Sequence, residues 1–171
     1  DFGWVLAAPL FGLGIGAALL GPLGDRFGRR PVVLTGIAML TLAVALSAMA
    51  NGLALLGVSR FLTGLSLGIA LPNISALVAE IAPSRSRAAA MTFVAIGVSL
   101  GGVLSGLLVP KLLPGYGWRG AYMLAVAVGC LVWLALWWKM PESPSFAAGV
   151  RRAAGTRNPY VRLFEGGRRR S

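Results

Sequence analysis

Residues 53–80 read LALLGVSRFLTGLSLGIALPNISALVAE, an apolar stretch in which Arg60 is the only charged residue before Glu80. A helix needs roughly 20 mostly apolar residues to cross the hydrocarbon core of a bilayer, which is about 30 Å thick. This stretch is long enough to do so, and four other runs share its character. Together the runs predict five spans, at about residues 3–24, 32–50, 53–80, 89–109 and 120–138.

The segments between these runs are short and contain Gly, Pro or charged residues, which is typical of turns. Short connections place consecutive spans side by side in opposite directions. A chain of 171 residues is too small to cover five apolar helices with a soluble outer layer. The sequence therefore predicts an all-α integral membrane bundle, with the spans in residues 1–138 and a basic linker in residues 139–171.

The composition agrees with a membrane protein and argues against several other classes. Hydrophobic residues make up 57% of the chain, charged residues 12%, and the mean hydropathy is +0.78. With no His, one Cys and five acidic residues, the chain lacks the side chains for a metal site or a disulfide framework. No predicted span carries a nucleophile beside a base, or enough polar residues to line a pore. We expect neither an enzyme nor a channel, and no cofactor.

Basic residues are distributed unevenly between the two predicted sides of the membrane. Most of the 16 Lys and Arg residues lie on one side, at Arg26, Arg29, Arg30, Arg85, Arg87, Lys139 and within residues 151–170. Because basic loops stay in the cytoplasm, this side is predicted to be cytoplasmic, and Tyr122 then lies in the aromatic belt near the outer interface. We expect the basic linker to rest on anionic lipid and not to bind nucleic acid.

The loop after the first span reads GPLGDRFGRRP over residues 21–31. Gly21 and Gly28 permit a tight reversal of the chain. Arg29 follows Asp25 by four residues, a spacing that allows an ion pair in a helical turn. This loop resembles the conserved motif between the second and third helices of the major facilitator superfamily. The resemblance implies a cytoplasmic charge cluster that latches the two halves of a transporter, formed here by Gly21, Asp25, Arg26, Gly28, Arg29 and Arg30.

Arg60 is the most informative single residue of the chain. It lies about seven residues, roughly 10 Å, inside its predicted span, so it must meet an acid, backbone carbonyls or an aqueous cavity, unless it reaches back to the interface. Gly64 and Gly68 continue its helix face and leave room for a close neighbour or a ligand. Arg60 stays protonated in proteins, so it cannot itself carry a proton. We expect it to pair with a carboxylate outside this chain or to contact an anionic substrate.

Two further polar residues lie later in the same span. Glu80 is about 30 Å from Arg60 on a straight helix, so the two cannot pair, but Glu80 can reach Arg29 or Arg87. We therefore expect a structural or gating role for Glu80. Asn73 follows Pro72, which can kink the helix, and Asn73 is expected either to bond a neighbouring helix or to face a cavity.

Across nearly its whole length the chain resembles helices two to six of a major facilitator transporter. The resemblance rests on the loop at residues 21–31, the stretch from Arg60 to Pro83, Gly117–Arg119 and Pro141–Pro144. The Leu-Pro-Asn run at residues 71–73 and the linker around Asn158 are most similar to the aromatic acid:proton symporters. Antiporters of the superfamily carry a Gly-Pro pair in their fifth helix. The corresponding fourth span of this chain lacks that pair, which mildly favours symport.

The resemblance implies the N-terminal half of a twelve-helix transporter. From their places in the third span, we expect Arg60, Asn73, Gly64 and Gly68 to serve substrate binding or proton coupling. The partners of such a transporter would be protons, a small organic anion such as 4-hydroxybenzoate, and the bilayer of a bacterial inner membrane. Asp1 is not Met and no signal sequence precedes the first span, so we expect a fragment that lacks the first helix and the second six-helix half and does not transport alone. Two alternatives are a sugar:proton symporter and a non-transporting scaffold or receptor of the same fold.

Overall fold

The computed structural model describes residues 3–144 and 146, and these residues form helices with no strand among them. Helix α1 covers Gly3–Ile15 and continues as a wider π-helical turn over Gly16–Leu20. The short helix α2 covers Leu23–Phe27, and the long helices α3, α4 and α5 cover Arg29–Ala48, Leu53–Ile81 and Arg87–Lys139. The predicted all-α class is confirmed. Most of the predicted basic linker, residue 145 and residues 147–171, lies outside the described part.

Four segments are long and apolar enough to cross a membrane: Gly3–Leu20, Arg29–Ala48, Leu53–Ile81 and Arg87–Lys139. The last contains 53 residues, and a straight helix of that length would extend about 80 Å. Its backbone is instead broken at Gly117, where φ is 62° and ψ is −175°. The division into five spans stays a prediction, but the expected connector at residues 110–119 is wrong in extent, because the chain stays helical through Pro110 and Pro114 up to this glycine.

Contacts at both ends of the bundle fix the direction of the part of α5 after Gly117. Arg119 donates a 2.7 Å hydrogen bond to Oδ1 of Asn51, between α3 and α4. At the opposite end, the carbonyl oxygen of Trp137 accepts a 2.8 Å hydrogen bond from Arg30, near the start of α3. Residues 118–139 therefore run antiparallel to α3.

Glycines bring α1 and α4 into backbone contact. A Cβ atom on Gly64 would overlap the carbonyl oxygen of Pro9 and lie 2.6 Å from its carbonyl carbon. A Cβ atom on Gly12 would lie 2.8 Å from the backbone nitrogen of Leu65, and Gly16 and Gly68 face the partner backbone in the same way. Small residues that allow such close approach are the usual means of helix packing in membranes. The space beside Gly64 and Gly68 was expected to hold either a close neighbour or a ligand. In the structure the backbone of α1 fills it.

The buried core is small, and the outside of the bundle is apolar. Val33, Ile37 and Ala70 form the centre of the core between α3 and α4. Large side chains such as Leu6, Phe11 and Phe93 are exposed along the bundle, and α5 has no buried residue in the described structure. An apolar surface of this extent is unusual for a soluble protein and suits contact with lipid or with further helices.

Candidate functional site: a charge cluster at one end and an arginine within a helix

The turn between α2 and α3 depends on Gly28. Its φ of 96° lies in the region that favours glycine, and it aims the chain from α2 into the first turn of α3. A Cβ atom there would also lie 3.1 Å from a carboxylate oxygen of Glu142. The reversal expected at Gly28 is therefore present, and the same glycine lets a carboxylate approach the start of α3.

Arg29 links the loop after α1 to the end of α4. Its Nη2 lies 3.1 Å from Oδ1 of Asp25, and its Nη1 lies 2.7 Å from Oε1 of Glu80. The side chains of Arg29 and Glu80 are 16% and 22% exposed, whereas that of Asp25 is 71% exposed. Both contacts expected from the sequence are present, and the contact with Glu80 is the better shielded of the two. The gating role of the cluster stays a prediction.

A second group of contacts joins the segment after α5 to the same place. Oε1 of Glu142 accepts hydrogen bonds from the backbone N–H groups of Arg30, at 3.2 Å, and of Ser143, at 2.9 Å. The hydroxyl of Ser143, which is 1% exposed, donates to Oε2 of Glu80. In the sequence, residues 141–144 contribute only to the family resemblance, so these contacts were not predicted. The sequence does contain a signal for these contacts: a carboxylate, Glu142, lies between two prolines just after a helix that ends on the basic side.

All three acidic residues that the structure describes, Asp25, Glu80 and Glu142, thus gather at the start of α3. Two arginines begin that helix, where the positive end of the helix dipole disfavours cations. The three carboxylates compensate for this charge and hold four parts of the chain together. Arg26 and Arg87, also expected in the cluster, are exposed.

Asn73 fixes the loop after α1 to the middle of α4. It is 3% exposed, and its Nδ2 donates to the carbonyl oxygens of Gly21, at 3.0 Å, and Ile69, at 2.8 Å. Gly24 packs directly against its side-chain amide, with no room for a Cβ atom. The structure thus gives Asn73 a bond to a neighbouring segment. Its predicted part in substrate coupling stays a prediction.

Arg60 meets an aromatic partner. Its Nη2 donates to the hydroxyl of Tyr122 in α5, and its guanidinium carbon lies 5.3 Å from the centre of the Tyr122 ring. A phenol and its ring can solvate a cation but do not neutralise it. Within the described residues Arg60 has no ion pair with a carboxylate. The sequence pattern predicts a place for Tyr122 in the outer aromatic belt and does not predict this contact.

The two ion pairs of Arg29 give a direct test of the cluster. We expect Glu80→Gln to reduce the free energy of unfolding by about 1–3 kcal/mol, because it leaves the shielded guanidinium without its nearer charge. The more exposed partner supplies the matched control, since Asp25→Asn should cost less than about 1 kcal/mol. Thermal unfolding of the complete protein in detergent measures both. Equal losses of stability would contradict the assignment of Glu80 as the principal partner.

Apolar helices of membrane length, a charge cluster at one end and an arginine within a helix define a multi-pass membrane protein. The sequence profile of the Major Facilitator Superfamily matches residues 1–170. The chain belongs to this superfamily.

Among its relatives, the gallate transporter of Pseudomonas putida is 36% identical over an alignment of 172 positions, which covers 91% of this chain and 38% of that protein. The 4-hydroxybenzoate transporter PcaK of Pseudomonas putida is 36% identical over 156 residues, covering 91% and 34%. The chain thus spans little more than a third of each. The inward-open xylose transporter XylE from E. coli shares the fold, with a TM-score of 0.75 and 24% identity over 84% of this chain and 38% of XylE.

Proposed function

We propose that the complete protein is a proton-coupled symporter of a small aromatic carboxylate, such as 4-hydroxybenzoate or gallate, in a bacterial inner membrane. The observation that carries the proposal is the contact of Arg60 with Tyr122 inside the predicted span. The cation can donate a charge-assisted hydrogen bond to the carboxylate of an aromatic acid, and the neighbouring tyrosine ring offers a stacking surface to the ring of that acid. The aromatic acids named for the two Pseudomonas relatives support this substrate class.

Proton coupling requires a group that can gain and lose a proton, and an arginine side chain stays protonated in proteins. We place the proton carrier on a carboxylate that faces Arg60 from a helix outside this chain. Protonation of that carboxylate would weaken its pairing with Arg60 and release the arginine for the anionic substrate. Substrate and proton would then bind near the middle of the membrane, between two halves that rock about the site.

The charge cluster around Arg29 would act at the cytoplasmic end of this cycle. It joins the loop after α1, the start of α3, the end of α4 and the segment after α5. These elements would therefore move as one body when the two halves rock. The basic segment after Lys139 would lie in the cytoplasm, along anionic lipid, and lead to the second half.

Uptake by cells that express the complete reading frame tests the proposal. We expect labelled 4-hydroxybenzoate or gallate to accumulate, a protonophore to abolish the accumulation, and xylose to be excluded. Accumulation of xylose alone would support the alternative of a sugar:proton symporter. Uptake of none of them, with the protein present in the membrane, would favour a scaffold or receptor.

A further inference from the structure

An open groove runs between α3 and the part of α5 after Gly117, on the outer surface of the bundle. It consists of two adjoining cavities of about 470 and 410 Å³, which share Ala38 and Trp133. Arg30 and Glu142 lie at one end, beside the charge cluster, and Leu42 lines the other. Neither the ion pairs of Arg29 nor the contact of Arg60 involves this groove.

The length of the groove matches one leaflet of a bilayer. Arg30 and Leu42 are twelve residues apart on the same helix, which corresponds to about 18 Å of rise. Half of the hydrocarbon core of a bilayer is about 15 Å. A groove that starts at the charged end of the bundle therefore extends to about the middle of the membrane.

The interior of the groove suits a hydrocarbon chain because its polar groups are already bonded. Nε1 of Trp133 donates to the carbonyl oxygen of Leu34 at 2.9 Å. The hydroxyls of Thr35 and Thr41 donate at 2.9 Å to carbonyl oxygens of their own helix. Lipid contact along these walls leaves no hydrogen bond unmade, so burying them costs little.

The mouth of the groove is lined by Arg30 and Glu142. The Arg30 guanidinium donates from Nη2 to the carbonyl oxygen of Trp137, and its other N–H groups have no bonding partner in the described structure. The carboxylate of Glu142 is held through Oε1 by two backbone N–H groups. The donors still available at the mouth are therefore cationic, and they suit a phosphate.

We propose that this groove binds one anionic phospholipid, with its phosphate on Arg30 and one acyl chain lying along Trp133 and Ala38 towards Leu42. Arg30 supplies several donors to phosphate oxygens, and the two walls hold the chain against the bundle. The bound lipid would fill the seam between α3 and α5 at the end where the charge cluster lies. This site is independent of the substrate that the protein carries.

Quenching of tryptophan fluorescence tests the proposal, because Trp133 and Trp137 line the groove. The complete protein would be reconstituted in phosphatidylcholine that contains a small fraction of lipid brominated near the headgroup end of its acyl chains. The brominated lipid is phosphatidylglycerol in one series and phosphatidylcholine in the other. The quenching that Trp137→Phe removes is assigned to the groove. We expect phosphatidylglycerol to occupy the groove about fivefold more strongly than phosphatidylcholine.

Three variants make the result specific. Arg30→Gln keeps the hydrogen bond from the backbone N–H of residue 30 to Glu142. It should abolish the preference for phosphatidylglycerol. Arg85→Gln removes the same charge from an exposed position outside the groove and should leave the preference intact. Ala38→Leu narrows the groove at its middle and should reduce quenching by both lipids, which keeps the test valid if Arg30→Gln does not fold. The proposal is overturned by equal occupancy of the two lipids in the unaltered protein, or by equal effects of Arg30→Gln and Arg85→Gln.

Discussion

Gly64→Val is expected to prevent stable packing of α1 against α4. Even the Cβ atom of alanine at this position would overlap the carbonyl oxygen of Pro9, which belongs to the backbone and cannot rotate away. The helices would have to separate, and the contacts of Gly12, Gly16 and Gly68 would loosen with them. Overpacking costs about 1–3 kcal/mol for a few added atoms, and a rigid backbone neighbour gives values at the upper end. We expect Gly64→Val to be recovered largely as aggregate and Gly64→Ala to unfold at a lower temperature.

The matched control is Gly14→Ala, on α1. A Cβ atom on Gly14 meets no atom of the described structure within 4 Å. Alanine in an open helical position is more favourable than glycine by about 1 kcal/mol. Size-exclusion chromatography and thermal unfolding of the complete protein in detergent should therefore separate the two alanine variants. If Gly64→Ala unfolds at the same temperature as Gly14→Ala, the close approach of α1 and α4 is not what holds these helices together.

Close packing is important for helix association here because the bilayer removes the usual driving force, which is the burial of apolar surface away from water. Lipid chains are as apolar as leucine side chains, so two helices gain little by hiding apolar surface from lipid. Contacts between backbones and buried hydrogen bonds then decide which helices associate. The hydroxyls of Ser47 and Ser59 make one such bond at 2.9 Å, fully buried between α3 and α4.

The sequence was sufficient to predict that the chain forms apolar helices and that Arg29 contacts Asp25 and Glu80. Span length and the positions of charges determine where apolar helices end, and those ends determine which polar residues meet. Asp25 and Arg29 are four residues apart, and Glu80 ends an apolar helix on the same basic side. Local spacing and sidedness are both visible in a sequence, so these contacts could be predicted.

Contacts that depend on how helices are arranged could not be predicted in the same way. Arg30 and Glu142 are 112 residues apart, and Arg60 and Tyr122 are 62 apart. Helices that are apolar all round have no stripe to show which neighbour each face meets. The predicted position of the break in α5 is also wrong. Proline predicted a loop from residue 110, but the chain accommodates Pro110 and Pro114 within the helix and bends only at Gly117.

On the function proposed above, Arg60→Ala should reduce accumulation of the aromatic acid to the level of cells treated with a protonophore. The variant removes the only charge in the apolar stretch before Glu80 and leaves Tyr122 without a cation. Arg60→Lys should restore little, roughly a tenth or less of uptake, because an ammonium cannot form the two parallel hydrogen bonds that a guanidinium gives a carboxylate. Uptake of labelled substrate, normalised to the amount of protein in the membrane, measures both variants.

Tyr122→Phe separates the two contributions at this site. It removes the hydroxyl that accepts from Arg60 and keeps the ring 5.3 Å from the guanidinium carbon. One hydrogen bond is worth about 0.5–1.5 kcal/mol, so we expect about a threefold to tenfold change in KM with uptake retained. Arg119→Ala is the control, because this arginine bonds Asn51 at the end of the bundle opposite the charge cluster and should leave accumulation intact. Proton-driven accumulation that survives Arg60→Ala, in protein that folds normally, would show that this charge takes no part in coupling.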